Sequence, residues 1–81
     1  MRYAVHFTGR VQGVGFRATA RQLSVSHPVT GWVRNEPDGS VSLEVQGSGA
    51  AVEAYLTELS RIMAGRIHAC DRTPLPERDS D

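Results

Sequence analysis

Twice along this chain the spacing of apolar residues changes from two to nearly four and back again, and that alternation leaves few folds open. Tyr3, Val5 and Phe7 occupy one side of an alternating run from Arg2 to Thr8, with Ala4, His6 and Thr8 on the other, the period of a half-buried strand. Gly9 to Gly15 then carries three glycines in seven residues, too many for the interior of a helix or strand. From Phe16 the period lengthens: Phe16, Ala20 and Leu23 fall at i, i+4 and i+7, which places them on one helical face. His27-Pro28 must end that helix, because a residue before proline is pushed out of the α region.

The period of two returns in a second strand, Thr30 to Asn35, and a third, Ser40 to Gln46, whose Val41, Leu43 and Val45 alternate with polar residues. Between them Glu36-Pro37-Asp38-Gly39 has turn chemistry, with proline presetting φ and glycine free to take a positive φ, so the pair forms a hairpin. Ser48 suits the N-cap of a second helix, along which Val52, Tyr55, Leu56, Leu59, Ile62 and Met63 recur every three or four residues, and Gly65 suits its C-cap. Arg66 to Arg72 completes the pattern as a fourth strand with Ile67 and Ala69 facing the core; Pro74-Leu75-Pro76 lacks ladder N–H groups and should leave the sheet.

The order β-α-β-β-α-β predicts an α+β, ferredoxin-like sandwich: right-handed crossovers put both helices on one face of a four-stranded antiparallel sheet of order 4-1-3-2. A length of 81 residues suits a single domain, expected to span residues 1–76, with 77–81 as a disordered acidic tail. Many functions use this fold, so the site has to supply the function.

Charge narrows the choices. Nine basic residues balance nine acidic ones, which argues against bulk nucleic-acid binding, since that needs a basic excess. The third strand also has no aromatic on which a base could stack. Every basic residue is arginine, so lysine Schiff-base chemistry and a Walker-type lysine are excluded. Any phosphate held here is held by arginine or by backbone. Cys70 has no second cysteine to pair with, and His6, His27 and His68 are too far apart for a paired metal motif. A reducing compartment, the cytoplasm, and no metal are expected. No apolar run has signal or membrane length, so no membrane partner is expected.

The segment Gly9-Arg10-Val11-Gln12-Gly13-Val14-Gly15-Phe16-Arg17 is where chemistry is expected. A glycine-rich loop running into a helix N-terminus aims backbone N–H groups at one spot, which suits a phosphate-sized anion, although a tight turn with a purely structural role uses the same residues. Its spacing matches neither GxGxxG nor GxxxxGK[ST]. Arg17 stands in the first helical turn, where the dipole disfavours a cation unless an anion is bound. Asn35, just before the hairpin turn, is open to two readings, a turn-entry residue or a polar group at the site. Arg10 and Arg34 can add positive potential near the loop but read first as solvated surface arginines; Phe16 reads as core, Trp32 as a structural strand residue ahead of a hydrophobic wall of the site, and the histidines and Cys70 as ordinary strand or loop residues.

Gly9 to Arg17, together with Gly31-Trp32-Val33-Arg34-Asn35 and Asp38-Gly39-Ser40-Val41, resembles the acylphosphatase family in both motifs, their spacing and the βαββαβ order, from about Tyr3 to Pro76. The resemblance implies hydrolysis of small acyl phosphates to carboxylate and inorganic phosphate, with no metal, cofactor or covalent intermediate, by a monomer. It also implies a catalytic Arg17 and Asn35, and a phosphate site made by Val11, Gln12, Gly13, Val14, Gly15, Phe16 and Arg17. A non-catalytic acyl-phosphate or anion-binding module of the same fold is the second reading. The chain departs from the family at Ser24 to Val29, where a glycine usually ends the first helix. It departs again after Pro76, where members usually continue into a last strand with an aromatic and this chain has Glu77 to Asp81.

Overall fold

Val5 and Phe7 must be buried from both sides of their strand, and the sheet is arranged around that need. A computed structural model describes residues 1–80. It runs β1 (Arg2–Gly9), α1 (Phe16–Ser26), β2 (Thr30–Asn35), β3 (Val41–Gln46), α2 (Gly49–Ile62) and β4 (Ile67–Leu75). The sheet order is β2-β3-β1-β4 with every pairing antiparallel, the expected 4-1-3-2 read from the other edge. Tyr3, Val5 and Phe7 stand opposite Val45, Leu43 and Val41, so the alternation of two strands coincides on one face.

That face is covered by the helices. Phe16, Ala20 and Leu23 of α1 and Ala51, Val52, Tyr55, Leu56 and Leu59 of α2 are buried against it. Burying each of the larger side chains contributes roughly 1.5 to 3 kcal/mol. The Phe7 and Phe16 rings meet at 4.9 Å between centroids, tilted by 58°. The start of α2 is capped as its sequence predicts, with Ser48 Oγ accepting from Ala51 N at 3.1 Å; α1 stops at Ser26, and His27 takes an extended conformation before Pro28.

Three expectations are corrected. Ile62 is 41% exposed, because the buried stripe of α2 steps by four from Leu59 to Met63 and turns Ile62 outward. The fourth strand is longer than expected and runs through Pro74 to Leu75, with Pro74 opposite Tyr3; β4 is an edge strand, where alternate N–H groups face solvent and a proline is tolerated. The register shifts between Thr8 and Gly9, so Ala69 pairs with Thr8 on the helix-free face, and Cys70 lies across from Phe7. Within residues 77–80 of the acidic tail, the Glu77 carboxylate accepts from the Met1 ammonium, while the Gln46 side chain accepts from Arg78 N at 2.8 Å and donates to Arg78 O at 2.9 Å. Polar partners of this kind leave no trace in an apolar pattern. Asp81, the end of that tail, lies outside the described residues.

The two helices are joined by one buried polar bond. Tyr55 Oη donates to the Ala20 carbonyl at 2.9 Å, and burial pushes the phenol up to about 12. Tyr55→Phe is expected to lower stability at neutral pH by about 1 kcal/mol. The phenol's contribution is complete below pH 10, its ordinary value, and falls as pH rises from there toward 12, because the unfolded chain gives up its proton first. Urea unfolding should therefore show wild-type stability declining across that window more steeply than that of Tyr55→Phe, and parallel slopes would refute the assignment.

Candidate functional site

The loop between β1 and α1 is held at both ends by apolar side chains. Val11 and Phe16 are each 1% exposed, and Val14 packs against the same core. Between these anchors the chain must turn sharply, and it does so by alternating the sign of φ: Gly13 and Gly15 sit at +73° and +81°, whereas among the described residues none but glycine takes a positive φ. Alternation of this kind turns successive N–H groups toward one side and forms an anion-binding concavity. Among the described residues, no N–H from Gln12 to Arg17 has a protein acceptor. The N-terminus of α1 has no side-chain cap and no acid in its first turn, so its positive end is uncompensated.

Arg17 extends from that first turn and is exposed. Asn35 is the last residue of β2, opposite Val41, and is also exposed. The alternation of β2 puts Asn35 on the same face as Val33, the face that carries the helices. Trp32 and Arg34 belong to the other face. Arg34 Nε donates to Glu36 Oε1 at 2.8 Å and its guanidinium lies 4.9 Å from the centre of the Trp32 ring.

Gln12 has a part that the sequence reading missed. Its side-chain amide donates to the Glu36 and Ser40 carbonyls, each at 2.8 Å, so the loop is clipped to the hairpin turn that begins just after Asn35. The turn is itself rigid: Asp38 Oδ1 accepts from Ser40 N at 2.9 Å and Ser40 Oγ at 2.6 Å, and Glu36 N donates to Ser40 O at 2.9 Å. Those bonds from Ser40 hold the Asp38 carboxyl below its ordinary value. Only the composition of the loop, one long amide among glycines, hinted at this clip, because its partners lie 24 and 28 residues away.

Other features lie apart. A cavity of about 490 Å³ between α1 and β2 is lined by Ala20, Val29, Trp32, Val45 and Tyr55, toward the beginning of β2 and away from Asn35. Among the described residues no three His, Cys, Asp or Glu side chains are grouped to hold a metal ion, and no helix is long and apolar enough to cross a membrane.

Comparison with known proteins gives this arrangement a context. The acylphosphatase family model matches residues 3–81. Among curated relatives, an acylphosphatase of Oceanobacillus iheyensis is 47% identical over 57 residues, 70% of this chain and 63% of that protein. One of Rhizobium etli is 51% identical over 75% of this chain and 65% of its own length. The matched stretch thus spans less than two thirds of these two relatives. An acylphosphatase of Pediococcus pentosaceus is 38% identical over 90% of this chain and 86% of its own. The crystal structure of acylphosphatase from Bacillus subtilis superposes with a TM-score of 0.85 at 24% identity, covering 96% of this chain and 88% of that one, which shows a shared fold. From the strand-loop-helix at its start to the pairing of its last strand, the chain belongs to the acylphosphatase family.

Proposed function

We propose that the chain hydrolyses small acyl phosphates to a carboxylate and inorganic phosphate. The observation that carries this reading is the loop whose φ values alternate in sign and whose N–H groups lack protein acceptors, opening beside Arg17. The N–H groups from Val11 to Phe16 hold the phosphoryl oxygens, and the Arg17 guanidinium adds a two-pronged, charge-assisted contact. Asn35 carries both a donor and an acceptor and orients a water in line with the scissile bond. The water oxygen bonds to phosphorus and the bond from phosphorus to the acyl oxygen breaks. The carboxylate leaves with that electron pair, and the water's proton passes to phosphate or solvent. Because a carboxylate is a good leaving group, positioning and charge stabilisation suffice, so no general acid, cofactor or metal is assigned.

The protein is proposed to act as a monomer. The single exposed Cys70 suits a cytoplasmic protein. The second reading, a module that binds acyl phosphate or anions without turnover, uses the same loop; turnover separates the two.

With acetyl phosphate as substrate and a metal chelator present, hydrolysis well above the buffer rate is expected, unchanged by the chelator. A rate equal to buffer would favour the binding module. Arg17→Lys keeps the charge but loses the planar fork, and kcat/KM should fall by roughly tenfold or more, the loss expected for one charge-assisted contact. A variant within about twofold of wild type would remove Arg17 from the role. Asn35→Ala should lower kcat by roughly tenfold or more while inorganic phosphate, measured as a competitive inhibitor, binds within about twofold of wild type. Parallel loss of both would make Asn35 an anion ligand instead.

A further inference from the structure

Beside the loop, on the side away from the Gln12 clip, two arginines share a cavity. Gly9 has φ +123°, and a Cβ built there would lie 2.4 Å from Arg66 O and 2.6 Å from His68 N; the end of β1 therefore packs directly on the chain leading into β4. Arg10 N donates to the Arg66 carbonyl at 2.8 Å. This approach puts Arg10 and Arg66 side by side, and with Val14 and Gly65 they line a cavity of about 390 Å³. Both arginines are exposed. Among the described residues neither has a carboxylate partner, although Arg2, Arg34 and Arg72 pair with Glu44, Glu36 and Glu53. The acids of the neighbouring turn are already engaged, Glu36 by Arg34 and Asp38 by Ser40.

Two arginines that line one cavity without a carboxylate partner among the described residues, in a chain of zero net charge, give it a local positive field that an anion would relieve. Since Val14 belongs both to this cavity and to the loop, a molecule whose phosphate fills the loop can extend its other end into the cavity that both arginines line. We infer that Arg10 and Arg66 form a second anion subsite, which takes a carboxylate or phosphate carried on the acyl part of the substrate. The inference rests on the acyl-phosphate reading above and adds a preference for acyl groups bearing a second oxyanion. Arg10, which the sequence alone presents as a solvated surface residue, becomes a specificity residue.

The test compares succinyl phosphate with acetyl phosphate in the wild type, in the double variant Arg10→Gln, Arg66→Gln, and in Arg10→Lys. The wild-type kcat/KM ratio should favour succinyl phosphate by roughly tenfold, the double variant should bring the ratio close to one, and Arg10→Lys should retain part of it. A damaged fold lowers both substrates together and leaves the ratio intact. A wild-type ratio near one, or a ratio unchanged in the double variant, overturns the subsite. A second measurement needs no turnover: calorimetric titration with 3-phosphonopropionate, ethane-1,2-bisphosphonate and methylphosphonate. At least one ligand with two anionic ends should bind the wild type roughly tenfold more tightly than methylphosphonate, and this advantage should vanish in the double variant. The better of the two identifies the preferred oxyanion. Equal affinities overturn the subsite even if acetyl phosphate is hydrolysed; a preference without hydrolysis keeps the subsite and overturns the hydrolase reading.

Discussion

Burial of Val11 and Phe16 at the two ends of one short loop is the constraint from which the site follows. Both side chains are in the core, so the ends of the loop cannot move without opening cavities, at a cost that grows with the volume left empty. The residues between them are left to satisfy the backbone alone. Gly13 and Gly15 let the chain close that short span with its N–H groups turned to one side, and α1 begins where the turn finishes. A flexible glycine loop would have to be ordered by its ligand; here the core does that ordering in advance, which under the proposed function lowers the entropic cost of binding.

The same logic explains the division of labour between the two helices. In α2 the first turn is satisfied from within, by Ser48, and the helix serves packing and the bond from Tyr55 to Ala20. In α1 the first turn has neither cap nor acid. Phe16, the first residue of that turn, is at once a core residue and part of the loop, so stability and the orientation of Arg17 depend on the same buried ring.

Periodicity made the six elements legible because one face of each strand and helix is buried, and the two signatures around the loop and Asn35 located the candidate site. What stayed illegible has physical causes. The extension of β4 through Pro74 depends on its being an edge strand, a tertiary property. The displacement of Ala69 depends on a register shift set by the close approach at Gly9. Gln12 and Glu77 act through polar bonds to partners far along the chain, and hydrophobic patterning carries no information on such pairs. Arg10 could not be distinguished from an ordinary surface arginine until the fold placed Arg66 beside it.

The pairing of Met1 with Glu77 also fixes the polarity of the whole molecule. These residues meet at the end of the sheet where β1 begins, whereas the loop follows its other end, eight residues along, a separation of roughly 25 Å at the usual rise of an extended chain. Met1 and Glu77 therefore lie at the pole opposite the candidate site. A tether or label attached at Met1 or Glu77 would leave the loop facing solution.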